Sequence, residues 1–364
     1  MELIILDKNF DELGRVDEFS SLQWFIKYYD IGSFELHCTI DYFPMLDLGT
    51  YIFRPNYINP NGYQGNNLAF IQSLQQSKLD DGSDELVVTG NFIEDIFNDR
   101  IIPLEKNYSG TAEEIAYTLI KEYFIDFEPY PRLKLADSVK LSTEQKSVKY
   151  KGKTIADVIY PLLKEEEMSC GIIYDYLTDQ LTFKVWKGLD RTDFQSVNDF
   201  AIFSDDFETA KQLNYERDIS KYRNYAVVVG VDDVRVDVDL RQNGEIIRQV
   251  YVRSSLSKNT NEGSTLSDSE YRKKLEQVGR EKLDELKQIE MFDCDAETSN
   301  SALIYKQDYD IGDYCTCKSK RLDKMADKRI TQIKEIYEDG EIQIIPTFGE
   351  DYLPLKYAIR GNTE

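Results

Sequence analysis

Metal binding would have to use the few cysteines of this chain and its one histidine. The cysteines are an odd set without a disulfide framework: Cys38, Cys170, Cys294, Cys315 and Cys317. Two of them, Cys315 and Cys317, would lie on one face of a strand. A tetrahedral zinc site needs two further ligands, and the only histidine, His37, is far away in the sequence. We therefore predict two small buried side chains here, and reduced thiols in a protein made in a cytosol.

Nucleophilic catalysis would also have to use His37. A Ser-His-Asp or Cys-His arrangement needs this imidazole as its base, and no G-x-S-x-G nucleophile motif lies near it. His37 occupies the polar side of an alternating segment in which Phe34, Leu36, Cys38 and Ile40 are apolar. This pattern predicts an exposed histidine on a half-buried strand.

Phosphate binding is suggested by Gly152-Lys153-Thr154, which matches the end of a P-loop. The motif G-x-x-x-x-G-K-[ST] requires a glycine at position 147, where this chain has Ser147. Without that glycine, we do not expect the backbone to form the nest that holds a phosphate. We predict a turn at Gly152 and a helix N-cap at Thr154 instead.

Carboxylates are too abundant to identify a site by themselves, because 67 Asp and Glu residues guarantee many close pairs. Glu165-Glu166-Glu167 is predicted to be the solvated end of a helix, and Asp205-Asp206 and Asp232-Asp233 are predicted loop tips. No Asp-rich stretch has the spacing of an EF-hand calcium loop. The sequence therefore predicts no catalytic, cofactor-binding or metal-ligating residue.

The overall charge argues against one large class of function. The 364 residues include 44 Lys and Arg against 67 Asp and Glu, a formal charge of −23. Binding to nucleic acid or to an anionic membrane surface depends on Lys and Arg. Hydrophobic residues at 41% are too many for a disordered acidic chain, and 25 Tyr and 18 Phe against 2 Trp favour β structure. No apolar run approaches the ~20 residues of a membrane span, so we expect no span. The apolar run Leu3–Leu6 near the N-terminus is far shorter than the apolar region of a signal peptide, so we expect no signal peptide.

The elements that position these residues fall into blocks of different periodicity. The first and last thirds alternate like strands, and a short helix around Phe92–Asn98 is predicted to close the first of these blocks. The middle contains two helical stripes and one hairpin, and Thr111 with Glu114 three residues later is the predicted N-cap of the first stripe. Asn243-Gly244 predicts a further hairpin, and a long helical stripe ends at Ile289. We predict an α+β, β-rich fold with two similar antiparallel β-barrels. The predicted domains are residues 1–105 as the first barrel, 106–200 as an inserted α/β domain, 201–258 with 291–350 as the second barrel, 259–290 as a helical insertion and 351–364 as a tail.

Two distant stretches of the chain repeat one order of turns and strands. Asp47-Leu48-Gly49-Thr50-Tyr51 is similar to Asp310-Ile311-Gly312-Asp313-Tyr314, and further along Phe70–Leu74 is similar to Arg329–Ile333. In both stretches an Asp-Gly turn follows, and then a strand that ends in Thr-Gly or Thr-Phe-Gly. We interpret this as a duplication; the alternative is two unrelated meanders that share turn chemistry.

A duplicated barrel has a consequence for assembly. Three copies of such a chain would present six similar elements around one axis, and closed rings are a usual form of homo-oligomers. This ring could dock onto a sixfold object on one side and a threefold object on the other. Such symmetry adaptation requires no chemistry.

Taken in order, the motifs resemble one family, the siphophage-type tail hub proteins. The resemblance covers nearly the whole chain, and related hubs occur in contractile tails and in phage-tail-like bacteriocins. It rests on Gly14-Arg15-Val16 to Gly32-Ser33-Phe34-Glu35-Leu36, Val88-Thr89-Gly90 to Ile101-Ile102, Gly152-Lys153-Thr154 to Lys187-Gly188-Leu189-Asp190-Arg191-Thr192, Asn224-Tyr225 to Val229-Gly230, and Gly312-Asp313 through Arg329-Ile330 to Pro346-Thr347-Phe348-Gly349.

The resemblance implies a structural baseplate hub rather than an enzyme. The implied protein is a homotrimer that contacts the tail tube or distal tail proteins, the spike and the tape-measure protein. It would be assembled in the bacterial cytoplasm, with no cofactor, no specific nucleic-acid binding and no membrane insertion. Acidic side chains around a channel would let DNA pass without sticking; the alternative is solubility charge on the outside. A cell-wall hydrolase with a carboxylate pair and a carbohydrate-binding β protein with exposed Tyr side chains are the alternative functions.

Overall fold

The structure of the chain, a computed structural model, describes residues 1–55, 65, 67–78, 82, 84–205, 209–258, 266–296, 303–338 and 340–349. For residues 210–213 and 293–296 it describes the backbone alone. The chain divides into two compact units. The first consists of Met1–Asn214 and the described part of Phe292–Asp351, and the second contains Tyr215–Met291.

The first block of the first unit is an antiparallel sheet, as its alternating sequence predicts. Its strands are β1 (Leu3–Leu6), β2 (Glu12–Val16), β3 (Phe19–Lys27), β4 (Ser33–Thr39), β5 (Tyr51–Phe53), β6 (Leu68–Lys78) and β7 (Asp84–Phe92). They lie in the order β3-β4-β7-β6-β5-β1-β2. Short 3-10 helices cover Ile40–Tyr42 and Ile93–Asn98, and the second of these is the helix predicted to close the block.

The middle block mixes helices with short strands, as predicted for residues 106–200. Its elements are β8 (Lys106–Gly110), α1 (Ala112–Lys121), a π-helical turn (Glu122–Phe127), β9 (Leu133–Leu135), β10 (Lys146–Tyr150), α2 (Ala156–Lys164), β11 (Ser169–Asp175) and β12 (Gln180–Trp186). The predicted N-cap of α1 is confirmed. Thr111 Oγ1 accepts a hydrogen bond from Glu114 N at 3.2 Å, and the Glu114 carboxylate accepts one from Thr111 N at 2.8 Å. Ile115 of α1 shares a core with Ile159 of α2 and Phe97 of the first block.

The remaining elements belong partly to the first unit and partly to the second. They are β13 (Ile202–Ser204), β14 (Ala210–Asp218), β15 (Tyr225–Val229), a 3-10 helix (Val231–Asp233), β16 (Arg235–Asp239), β17 (Gln249–Arg253), α3 (Asp268–Glu285), β18 (Ile289–Ala296), β19 (Tyr314–Ser319), β20 (Lys324–Glu338) and β21 (Glu341–Gly349). In the largest sheet, β14, β18, β21 and β20 are neighbours in this order. The sheet continues from β20 into β3, so the early and late β blocks share one sheet.

The second unit is a three-stranded sheet with one helix packed on it. β15 lies in the centre, antiparallel to β16 and parallel to β17. Ala226, Val228 and Val238 of this sheet share a core with Tyr271 and Leu275 of α3. The helix that the sequence suggests as a separate insertion therefore packs with strands that were assigned to the second barrel, because both elements need each other to bury an apolar face.

Two local predictions for this unit are wrong. Asn243-Gly244 does form a turn, with Gly244 at φ +84°, but the following β17 pairs with β15 and not with β16. In this position Val250 and Val252 pack against the core, so burial rather than the turn signal selected the partner strand. The predicted helical stripe to Ile289 also stops earlier, because α3 ends at Glu285 and Ile289 begins β18.

Candidate assembly site

The two turns that suggested a duplication make the same backbone hydrogen bonds. Gly49 and Gly312 have φ values of +83° and +85°, in the left-handed region that favours glycine. Gly49 N donates to Ile71 O at 3.0 Å, and Gly312 N donates to Ile330 O at 2.9 Å. In both turns the opening aspartate accepts a hydrogen bond from the next backbone N–H, at 2.8 Å and 2.7 Å.

The strands that follow these turns carry an irregularity at equivalent positions. The register of β6 against β7 shifts between Ile71 and Ser73, and the register of β20 against β21 shifts between Ile330 and Gln332. A β-bulge is a specific feature that inserts one extra residue on one strand. Its recurrence supports the duplication more strongly than shared turn residues do.

Strand order extends the equivalence to larger pieces of the sheet. The early block contains β3-β4-β7-β6, and the late block contains β14-β18-β21-β20 in the corresponding order. We call these four-strand groups repeat 1 and repeat 2. The equivalence ends at the strands next to these groups, β5 and β19. β1 pairs antiparallel with β5, whereas β13 pairs parallel with β19.

Repeat 2 is joined to repeat 1 by an ordinary antiparallel ladder. Residues 332–338 of β20 pair with residues 21–27 of β3, from Gln332 opposite Lys27 to Glu338 opposite Ser21. Tyr28 N donates to Thr331 O at 2.9 Å, which extends the ladder past the bulge. Every backbone group on this edge of β20 that faces β3 can therefore find a partner within the same chain.

A buried ion pair lies across this joint. Arg54 follows β5 and Glu335 lies in β20; both side chains are almost fully buried, and they form two hydrogen bonds of 2.6 Å and 3.3 Å. Tyr337 and Tyr305 each donate a hydroxyl hydrogen bond to Glu335, at 2.6 Å and 3.1 Å. Burial raises the pKa of Glu335, but the Arg54 guanidinium outweighs it and holds that pKa below its ordinary value. The Arg54 guanidinium also lies 5.0 Å from the ring centre of Trp24.

A second buried carboxylate connects the middle block to repeat 2. Asp313 accepts hydrogen bonds from Leu189 N and from Arg191 Nε, both at 2.8 Å. Leu189 and Arg191 belong to the stretch Lys187–Thr192, which is one of those that carry the resemblance described above. Burial outweighs these favourable contacts and raises the pKa of Asp313 to about 6. At Gly188 a side chain is excluded, because an added Cβ would come within 1.9 Å of Gly312 O.

Repeat 1 exposes the edge that corresponds to this joint. In β20, residues 324–329 pair with β19 and residues 332–338 with β3. In β6, residues 68–70 pair with β5, while the counterpart of 332–338, residues 73–78, has only β7 beside it among the described strands. β14, the counterpart of β3, likewise has β18 as its only neighbour among them. We call residues 73–78 and the outer edge of β14 the open edges; such edges are templates for a further strand.

His37 is less exposed than predicted. Its Nε2 lies 2.9 Å from Glu35 Oε1, and its Nδ1 lies 3.1 Å from Glu85 Oε2 on the neighbouring strand β7. Burial lowers the pKa of His37, but the two carboxylates outweigh it and raise that pKa above its ordinary value. The prediction of an exposed histidine is wrong, since a cross-strand acid covers it.

The predicted burial of Cys315 and Cys317 and the predicted turn at Gly152 are confirmed. Cys315 and Cys317 of β19 are both fully buried. Gly152 forms a turn with φ +66°, and Thr154 Oγ1 accepts a hydrogen bond from Asp157 N at 3.1 Å, as an N-cap does.

The run Glu165-Glu166-Glu167 follows α2 but is not simply a solvated helix end. Lys146 Nζ donates to Glu165 at 2.6 Å, and Arg329 Nη2 donates to Glu167 at 2.9 Å. The second of these contacts reaches repeat 2. The prediction missed it because a charge run carries no information about which distant cation will face it.

The other acidic candidates do not assemble into a site. Asp232-Asp233 is an exposed loop tip, as predicted, while Asp206 lies outside the described residues. Asp95 and Asp99 line a cleft of about 370 Å³, where burial raises the pKa of Asp99. Asp95 accepts amide hydrogen bonds from Asn98 at 2.8 Å and from Asn91 at 3.2 Å. In the described part of the chain, no group of three or more His, Cys, Asp or Glu could hold a metal ion.

A sheet built from two repeats, with an open strand edge in each, defines a β-rich protein whose candidate site is an interface. The family model described as Siphovirus ReqiPepy6 Gp37-like protein matches residues 2–350, and the chain belongs to this family. No curated protein sequence matches it significantly. None of the helices in the described residues is long and apolar enough to cross a membrane.

Solved structures of phage tail proteins share the fold at low sequence identity. The tail protein from Neisseria meningitidis MC58 has a TM-score of 0.57 at 12% identity, over 96% of each chain. The 43 kDa tail protein of prophage MuSo2 from Shewanella oneidensis has a TM-score of 0.53 at 11% identity, over 96% of this chain and 98% of that one. Prophage tail protein gp18 from Listeria monocytogenes EGD-e has a TM-score of 0.52 at 12% identity, over 99% and 98%. The predicted α+β, β-rich fold and the resemblance to phage tail proteins are confirmed.

Replacing Arg54 tests the buried ion pair at the joint. We expect Arg54→Met to lower the free energy of unfolding of the first unit by about 3–5 kcal/mol, because Glu335 would be left charged without its cation. The double variant Arg54→Met/Glu335→Gln should recover more than half of the loss, since the amide still accepts from the tyrosines. Urea unfolding followed by tryptophan fluorescence reports on this unit, which holds both Trp24 and Trp186.

The matched control is Arg15→Met, which breaks an exposed ion pair with Glu12 and should cost less than about 1 kcal/mol. An equally small cost for Arg54→Met would show that the ladder alone joins the repeats.

Asp313 predicts an unusual pH dependence. Its pKa rises from 3.8 in the unfolded chain to about 6 in the fold, so the folded chain binds a proton more tightly. Below pH 4, Asp313 therefore makes its full contribution to the free energy of unfolding. That contribution declines by roughly 3 kcal/mol in total as the pH rises through 6. Asp313→Asn should abolish this part of the slope in unfolding free energies measured between pH 4 and 7, whereas Asp126→Asn at an exposed pair should not. An unchanged slope in Asp313→Asn would contradict the assignment.

Proposed function

We propose that this chain is the structural baseplate hub of a phage tail or a phage-tail-like particle. In this role three copies form a ring with six similar repeats. The ring joins a sixfold tail tube on one side to a threefold spike on the other. Membership of the family and the tail-protein fold support a tail component. The finer role rests on the geometry of the two repeats.

The observation that carries the proposal is the pair of open edges. Within one chain, β20 of repeat 2 accepts β3 of repeat 1. If equivalent edges make equivalent contacts, residues 73–78 of β6 accept β14 of a neighbouring copy. Each chain then contributes four strands from each repeat to one continuous wall. Such head-to-tail contacts generate closed rings when the rotation closes.

Three copies are the number that a sixfold neighbour requires. A ring of three chains repeats the same four-strand group six times, so a hexameric tube can meet six similar surfaces. The differences between the repeats recur every third of a turn, which suits a trimeric spike. The distal tail proteins and the tape-measure protein are the further partners we propose. The particle would assemble in the bacterial cytoplasm and carry this ring in its baseplate.

The proposed role needs no catalytic residue, and the alternative function, a hydrolase, would need a pair of carboxylates. Asp95 and Asp99 are the carboxylates of the one cleft considered above, and Asp95 is already engaged by amide donors. Clearing of peptidoglycan in a zymogram by the purified chain, lost in Asp99→Asn, would favour the hydrolase instead.

A proline on the open edge of β6 tests ring closure. Because Thr331 O accepts from Tyr28, alternate residues of β20 after the bulge, including Glu335, direct their backbone groups towards β3. Gln76 is the counterpart of Glu335 in β6, so Gln76→Pro removes an outward N–H and leaves the pairing with β7. We expect the wild type to have three times the chain mass of 42.4 kDa and Gln76→Pro to be monomeric, by light scattering.

Gln76→Ala is the matched control and should stay trimeric, and the circular dichroism of all three proteins should agree. A trimeric Gln76→Pro would show that the ring closes through another surface. If the wild type is monomeric in solution, the copy number is read from images of the assembled particle, and any number other than three overturns the proposal.

A further inference from the structure

The turn between β19 and β20 is basic, although the chain as a whole is acidic. Residues 318–325, which we call the basic tip, carry Lys318, Lys320, Arg321 and Lys324 against Asp323. Their formal charge of +3 leaves −26 for the other residues of a chain whose charge is −23. A local reversal of sign on this scale is the kind of surface that selects an oppositely charged partner.

The basic tip also exposes apolar side chains between its cations. Leu322 is 46% exposed and Met325 is 52% exposed. Arg321 and Lys324 are exposed beside them. An apolar centre with a charged rim is the usual anatomy of a protein–protein contact, and flexible methionine adapts well to a partner surface.

The turn is held in place from its own unit. Asp205 Oδ1 accepts a hydrogen bond from Lys320 N at 3.1 Å, and Asp205 Oδ2 lies 3.4 Å from Ser319 Oγ. Asp205 thus fixes the tip through the backbone of Lys320. A positioned backbone lowers the entropy that docking would cost.

Repeat 1 lacks a basic tip at the equivalent place. The segment that connects β5 to β6 corresponds in chain order to the turn between β19 and β20, and residues 55–67 contain no Lys, Arg, Asp or Glu. In a ring of three chains, a basic tip would therefore occur in every second repeat. The charge on this rim would have threefold symmetry, although the strands below it repeat six times.

The opposite ends of the same strands carry acids in both repeats. β20 ends at Glu338 and β21 begins at Glu341, while β7 begins with Asp84 and Glu85. β20 has 15 residues and spans about 50 Å, so its basic and acidic ends are far apart. Strands that pair edge to edge around an axis run between two rims. One rim would thus be acidic at all six positions, and the other basic at three.

We propose that the three basic tips dock onto an acidic protein surface of a threefold partner. This inference rests on the proposed function, because it needs the ring. A protein partner is favoured over nucleic acid by the apolar side chains in the tip and by the −26 charge elsewhere, which repels phosphates.

Carbodiimide cross-linking of the intact tail particle tests the docking. This reagent joins a lysine amine to a carboxylate only when the two groups are in direct contact. Mass spectrometry of the joined peptides therefore identifies the partner protein. We expect Lys320 and Lys324 to be joined to Asp or Glu of a different protein with three copies per ring. Cross-links to carboxylates of another copy of this chain, or none at either lysine, would overturn the proposal.

Charge reversal gives the second measurement. After a salt wash, particles with Lys320→Glu/Arg321→Glu/Lys324→Glu should retain at most about one tenth of the cross-linked partner that wild-type particles retain. The reason is that charges at the rim of an interface govern its association rate and its sensitivity to salt. The matched control Lys149→Glu/Lys151→Glu/Lys153→Glu changes three exposed lysines of the middle block and should retain the partner fully. If the first variant retains the partner, the docking proposal is overturned, while a trimeric ring would still support the proposed function. If no trimeric ring is found, the docking proposal and the proposed function are both overturned.

Discussion

The edge of a β-strand must find hydrogen-bond partners, and this constraint governs how the chain is built. Repeat 2 satisfies one edge of β20 with β3 of repeat 1, over residues 332–338. Repeat 1 cannot do the same at residues 73–78, because the chain supplies β14 only once and places it at the far end of the sheet. Among the described strands, this leaves one pair of edges per chain without a neighbouring strand, and the ring that we propose would pair them.

Backbone hydrogen bonds alone would not choose the correct pairing, since any strand can offer them. The buried side chains at the joint add that choice. Arg54 and Glu335 neutralise each other only when β20 lies against the first block in this register. A slip by one residue would turn Glu335 to the other face and leave Arg54 buried without its anion. Asp313, Leu189 and Arg191 act similarly where the middle block meets repeat 2.

The candidate site could be predicted from the sequence only in part. The turn motif around Gly49 and Gly312 identified the duplication, because a left-handed glycine after an aspartate leaves a visible local pattern. The partner of β17 was missed, because strand pairing depends on which apolar residues must be covered, and turn residues report only that the chain reverses. His37 was predicted to be exposed because alternation shows only which face of the strand a residue occupies. It does not show that Glu85 of the neighbouring strand covers the imidazole.

The sequence by itself determined the family, the β-rich class, the capping of α1 and the existence of two similar blocks, because these depend on local periodicity and on short motifs. Only the tertiary structure decided that the blocks share a sheet through β3 and β20, that Arg54 pairs with Glu335, and that residues 73–78 and β14 each have one neighbouring strand among those described. These features join residues as distant as 54 and 335. Their energies come from burial and from hydrogen bonds that exist only once the chain is folded, so no local pattern records them.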